Sequence, residues 1–217
     1  VKPAVEFANN VEPVVGVITD PEAQYSYVEL LWKSAPMPKE LNNTDVAFVT
    51  NLFKRYVSQI MSERFSDIAA DPASPFIQAA MFFSPICNEC DATRGQVIFK
   101  EGEMNKALKA FMIEVEKMRQ FGFNDSEVQR ATENIISRYQ KAAEAASTRQ
   151  NRELVRPLLD NFYQNESYLD PEMALQLVQG ICPKFNAQVI NQMLAQYQFV
   201  TDENMIVLYN GPSKEGS

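Results

Sequence analysis

Residues 44–70 read TDVAFVTNLFKRYVSQIMSERFSDIAA, and this stretch decides the fold. Its apolar residues are Val49, Leu52, Phe53, Tyr56, Val57, Ile60, Met61, Phe65 and Ile68. Gaps of three and four put all of them on one stripe of a 3.6-residue helix. Lys54, Arg55, Gln59, Glu63, Arg64 and Asp67 take mostly the other side. At about 1.5 Å per residue the stretch makes a rod of roughly 40 Å, long for a globular helix. So wide a stripe needs a broad apolar surface to cover, and a sheet supplies one. Asn43 or Thr44 is the expected N-cap.

Working outward, Gln24–Lys33 alternates with Tyr25, Tyr27, Glu29, Leu31 and Lys33 on one side. Ser26, Val28, Leu30 and Trp32 fall on the other, the pattern of a strand with one well-buried face. Ala35-Pro36-Met37-Pro38 ends it, because proline removes ladder donors. After the helix, Asp71-Pro72-Ala73-Ser74-Pro75 is a break, and Phe76–Ile86 and Ala92–Lys100 read as two strands able to form a hairpin. Gly95 inside the second marks a bulge or a close backbone approach. Met104 to Met118 repeats the helical spacing and stops at Phe121-Gly122. Asn124-Asp125-Ser126-Glu127 is a capping signature opening the next helix. Leu154, Val155, Leu158, Leu159 and Phe162 carry the helical pattern on, with a kink or break expected before Pro157. Asp170-Pro171 opens a short helix to Gly180, Asn186 caps another, and Asn204–Tyr209 is a closing strand.

Strand, long helix, two strands, several helices and a closing strand make an α+β domain. Its sheet is expected to be mostly antiparallel, with helices on one face. Residues 1–13 read as a linker, 14–210 as a single domain, and 211–217 as a flexible tail. Forty-six per cent apolar content and fourteen Phe suffice for a large core within 217 residues. No apolar run approaches the roughly 20 residues of a membrane span, which predicts a soluble chain. The chain begins on Val1 with no charged-then-apolar leader, as a mature chain or a piece of a longer one would.

Twenty Lys and Arg against 28 Asp and Glu give a net charge of −8, a poor match to a nucleic-acid backbone. The sequence contains no histidine. That removes Ser-His-Asp and Cys-His nucleophiles, histidine zinc sites and the commonest acid–base group near neutral pH. Cys87-Asn88-Glu89-Cys90 is formally C-x-x-C, with Cys182 the third cysteine. It falls in a turn between strands rather than at a helix start. A turn with two thiols, closed as a disulfide where conditions are oxidising, is therefore preferred to a redox or metal motif. No glycine-rich phosphate loop exists. Glu101/Glu103 and Glu114/Glu116 read as solvated helix positions, and Arg64 and Arg94 as locally paired. On residues alone the chain is a domain without its own active site.

Two stretches carry a family resemblance: SERFSDIAADPASPF, and ATRGQVIFKEGEMNKALKAFMIEVEKMRQFGFNDSEVQRATENIISRY. With the element order from Val14 to Tyr209, they resemble a non-catalytic repeat domain of the insulinase-like (pitrilysin-like) zinc metallopeptidases. That family includes mitochondrial processing peptidase. Its zinc site is an inverted H-x-x-E-H motif plus a distal Glu on the first domain. Without histidine no ligand carries over, so the resemblance implies a second or later domain, with zinc held in a separate catalytic domain. It implies a two-halved chamber enclosing unstructured peptide, with a catalytic domain or subunit of the same peptidase as partner and a periplasmic location, or a cytoplasmic one. It also implies that Arg94, Gly95, Gln96, Val97, Ile98 and Phe99 form an edge strand that holds substrate by strand addition. An ordinary internal strand is the alternative for these six. A stand-alone binding or scaffold protein, such as an inactive family member, is the alternative for the whole chain.

Overall fold

Several helices start where a side chain satisfies one of the first free amide groups. Asn124 Oδ1 accepts the Glu127 amide at 3.0 Å, and the Glu127 carboxylate accepts the Asn124 amide at 2.9 Å, a complete capping box. Asp170 accepts the Glu172 amide ahead of Pro171, and Asn186 accepts the Val189 amide. Thr44 Oγ1 lies 3.5 Å from the Ala47 amide at the start of the long helix. Gly122, at φ 67°, ends the helix before it in a conformation that side chains disfavour.

The computed structural model describes residues 7–148 and 151–212. In chain order the elements are β1 (Val14–Thr19), β2 (Tyr27–Ser34), α1 (Asp45–Ala69), β3 (Phe76–Cys87) and β4 (Cys90–Phe99). There follow α2 (Met104–Phe121), α3 (Asp125–Glu144), α4 (Asn151–Gln164), α5 (Pro171–Ile181), α6 (Ala187–Tyr197) and β5 (Met205–Gly211). The expectations for residues 1–6, for the Leu154 side chain and for 213–217 lie outside the described residues.

The class is α+β, with a five-stranded sheet in the order β1-β5-β2-β4-β3. Among the described residues only β1 runs parallel to its neighbour, and the other pairs are antiparallel. The chain separates into two compact units. One comprises Val1–Pro36, Ser58–Gly122 and Leu194–Ser217, and the other Met37–Val57 and Phe123–Met193. The sheet, the second half of α1 and α2 belong to the first; the first half of α1, α3, α4 and α5 belong to the second.

In the first unit, register puts Val28, Leu30 and Trp32 on one face beside Thr93, Gly95 and Val97. All six are buried. Phe111 of α2 lies against Gly95, and Phe65 of α1 stacks on Phe111 at 4.7 Å while meeting Phe76 edge-on. Those large apolar side chains anchor the core. Ahead of β1, Asn10 bonds to Asn204 and Met205, and Lys33 Nζ donates to the Ala8 carbonyl. In the second unit, Tyr56 stacks on Phe185 at 5.2 Å, with Val178, Ile190, Ala131 and Ile135 buried.

Three local expectations need correction. α4 continues through Pro157 without a break, and Val155, Leu158, Leu159 and Phe162 are exposed on it. Gly95 is not a bulge, since β4 stays in continuous register with β2; the bulges lie in β3, near Phe76 and Pro85. Glu114 is not solvated: it is buried and accepts from Lys117 Nζ at 2.6 Å.

Candidate functional site

β4 alternates, so the six candidate residues divide between two faces. Gly95, Val97 and Phe99 are buried. Arg94, Gln96 and Ile98 share the opposite face with Tyr27, Glu29 and Leu31 of β2, and Ile206 and Leu208 of β5 lie beyond them. Apart from the buried Leu31, these side chains are half-buried. Near the centre Arg94 Nη1 donates to Glu29 Oε1 at 2.9 Å, and Nη2 to the Pro85 carbonyl at 3.4 Å. Arg94 Nε is buried and has no hydrogen-bond partner among the described residues. This face is a polar pair set among apolar side chains, with the guanidinium Nε closed off from solvent.

The edge-strand expectation does not hold. β4 pairs with β2 on one side and β3 on the other, so its amides and carbonyls already serve two ladders. No free backbone edge remains on residues 94–99 for an added strand. The outer strands of the sheet are β1 and β3. Gly95 is required by α2, because a Cβ there would sit 2.5 Å from Phe111 Cζ. Glu29 is the residue that sequence reasoning missed: only register brings it to Arg94, and the period-2 pattern of β2 says nothing of its neighbours.

Elsewhere the chemistry is quiet. Cys87 and Cys90 face each other across the two-residue turn Asn88-Glu89, and both thiols are free. Arg64 donates to the Gly122 carbonyl at 3.0 Å. The second unit has a shallow cleft of about 310 Å³, lined by Asp125, Thr132, Glu133, Cys182, Phe185 and Asn186 among others. Tyr56 Oη lies 2.7 Å from Thr132 Oγ1. Burial pushes the Tyr56 hydroxyl and the Cys182 thiol up, so both stay protonated and neither is an activated nucleophile. Among the described residues no group of three or more Cys, Asp and Glu side chains comes together to hold a metal ion. No helix among them is long and apolar enough to cross a membrane.

No family model matches this sequence, and no curated protein matches it. Solved structures do. The first half of the periplasmic protease PqqL from Escherichia coli is similar with a TM-score of 0.82 at 16% identity, over 98% of this chain and 45% of that one. A protein described as a predicted insulinase family protease from Yersinia pestis gives 0.77 at 14%, over 100% and 46%. A peptidase M16 inactive domain from Pseudomonas fluorescens gives 0.63 at 12%, over 99% and 46%. The chain thus has the fold found in halves of insulinase-family (M16) peptidases, and spans a little under half the length of these structures.

Proposed function

We propose that this chain, with the fold of part of an insulinase-family peptidase half, is a non-catalytic domain of a zinc endopeptidase and helps to enclose unstructured peptide substrate. The observation that carries the reading is a chain of that fold without a single histidine. The H-x-x-E-H zinc motif cannot exist in it, and its described carboxylates and thiols do not converge on a metal site. Zinc therefore belongs to a separate catalytic domain or subunit of the same peptidase, the partner this reading requires. A periplasmic location is in keeping with the likeness to the periplasmic protease PqqL.

What the domain contributes is a wall. Its half-buried sheet face presents Arg94, Gln96 and Ile98 as side chains, so contact with a peptide is made through them and not through the β4 backbone. Arg94, half-buried and paired with Glu29, is the charged group that such a peptide meets on this face. Shielding the peptide from water strengthens electrostatic interactions at a neighbouring catalytic centre without any chemistry here. The inactive domain among the similar structures favours one further reading, an inactive family member paired with a separate catalytic subunit.

The test uses the natural full-length protein that carries this chain and a quenched fluorescent peptide. Arg94→Ala combined with Gln96→Ala is expected to raise KM several-fold with kcat little changed, the signature of lost ground-state binding. The isolated chain is expected to hydrolyse nothing. Chelator-sensitive hydrolysis by the isolated chain, or an unaltered KM in a folded double variant, would overturn the reading.

A further inference from the structure

The hairpin between β3 and β4 ends in two cysteines that the proposed function leaves unused. We propose that Cys87 and Cys90 are a reversible dithiol–disulfide pair that closes across the hairpin tip on meeting a disulfide-bearing oxidant. The two residues are direct partners in the antiparallel register, flanking the turn residues Asn88 and Glu89. Directly opposed residues project to the same side, with Cβ atoms about 4.5–5.5 Å apart. A disulfide spans Cβ atoms about 3.5–4.5 Å apart, so closure asks for an inward shift of roughly 1 Å. The β3 irregularity between Pro85 and Cys87 lies beside the turn and gives the backbone room to make that shift.

The two sulfurs differ in role. Cys87 is half-exposed, accepts the Glu89 amide at 3.4 Å and donates to Glu89 Oε2 at 3.4 Å. Cys90 is 2% exposed, and burial followed by the neighbouring Cys87 pushes its thiol up, against a smaller opposing effect of Lys33. Cys87 is therefore the attacking sulfur and Cys90 the resolving one. The Cys87 thiol loses its proton, and its thiolate attacks one sulfur of an oxidised low-molecular-weight disulfide, expelling the other as a thiolate. The Cys90 thiol loses its proton and attacks Cys87 Sγ of the mixed disulfide, expelling the second thiolate. Two protein thiols are oxidised, one disulfide is reduced to two thiols, and two protons pass to the departing thiolates. The bond ties the irregular end of the outer strand β3 to β4, where register is otherwise least constrained.

The experiment incubates the native full-length protein with excess oxidised glutathione, quenches in acid, alkylates with a maleimide and maps tryptic peptides by mass. Both cysteines fall in one tryptic peptide, residues 65–94. It is expected to come out unalkylated and lighter by the mass of two hydrogens, with dithiothreitol restoring both thiols. Cys182, 1% exposed, is expected to remain a free thiol and so reports that the fold was intact. Cys90→Ser is expected to accumulate a glutathione adduct on Cys87, whereas Cys87→Ser leaves Cys90 unmodified. A stable glutathione adduct on Cys87 of the unsubstituted protein, or two free thiols after oxidation, would overturn the proposal.

Discussion

Replacing Gly95 by alanine puts a methyl group where the Phe111 ring already is. The new Cβ would lie 2.5 Å from Phe111 Cζ and 2.8 Å from Cε1. Carbon atoms in contact prefer about 3.5–4.0 Å, so the ring must retreat by roughly 1 Å. It has nowhere easy to go. Phe111 is fully buried, Phe65 stacks on it at 4.7 Å, and Phe65 is held edge-on by Phe76 at 6.4 Å. Over-packing of this kind costs about 1–3 kcal/mol. Removing the extra backbone freedom of a strand glycine returns about 0.5–1 kcal/mol. The expected net loss is about 1–2 kcal/mol. Urea unfolding reads it directly, because Trp32 is the only tryptophan and is buried on the same face of the sheet. Phe111→Leu alone should also destabilise, by about 1–2 kcal/mol. With the smaller side chain the new methyl fits, so the double variant should fall short of the summed losses by at least about 0.5 kcal/mol. A Gly95→Ala protein as stable as the parent, or strictly additive losses, would refute the reasoning.

Two further outcomes follow from the same contacts. Asn124→Ala removes the acceptor for the Glu127 amide and leaves half a capping box, so it should cost about 1 kcal/mol in the urea midpoint; a change within error would mean that water caps α3 equally well. Burial raises the Tyr56 hydroxyl and the Cys90 and Cys182 thiols above their ordinary values. Groups raised on folding lend stability that is fully present below their unfolded values and is lost as pH climbs through the folded ones. Those unfolded values are about 8.5 for a thiol and about 10 for a tyrosine, so stability should fall progressively above about pH 9. Tyr56→Phe should flatten that decline, and parallel pH profiles for the two proteins would count against it.

Helices and their ends were the legible part, because spacing and caps act within a turn or two. The stripe from Leu52 to Phe65 is buried as its periodicity requires, and the caps at Asn124, Asp170 and Asn186 hold as read. The exposed face of α4 was not legible. An apolar stripe states a capacity to be buried, and whether anything covers it depends on chain far away in sequence.

The candidate site divides in the same way. By itself the sequence determined that no histidine chemistry is possible here and that residues 94–99 form a strand. Only the tertiary structure decided that this strand is internal, that Glu29 meets Arg94, and that Phe111 packs on Gly95. Alternation along a strand records which side is buried, whereas neighbours and register come from pairing across distant segments. The short β1 makes the point most simply. Its parallel pairing with β5 joins Val14 to Ile206 across almost the whole chain, and no local pattern encodes that partner.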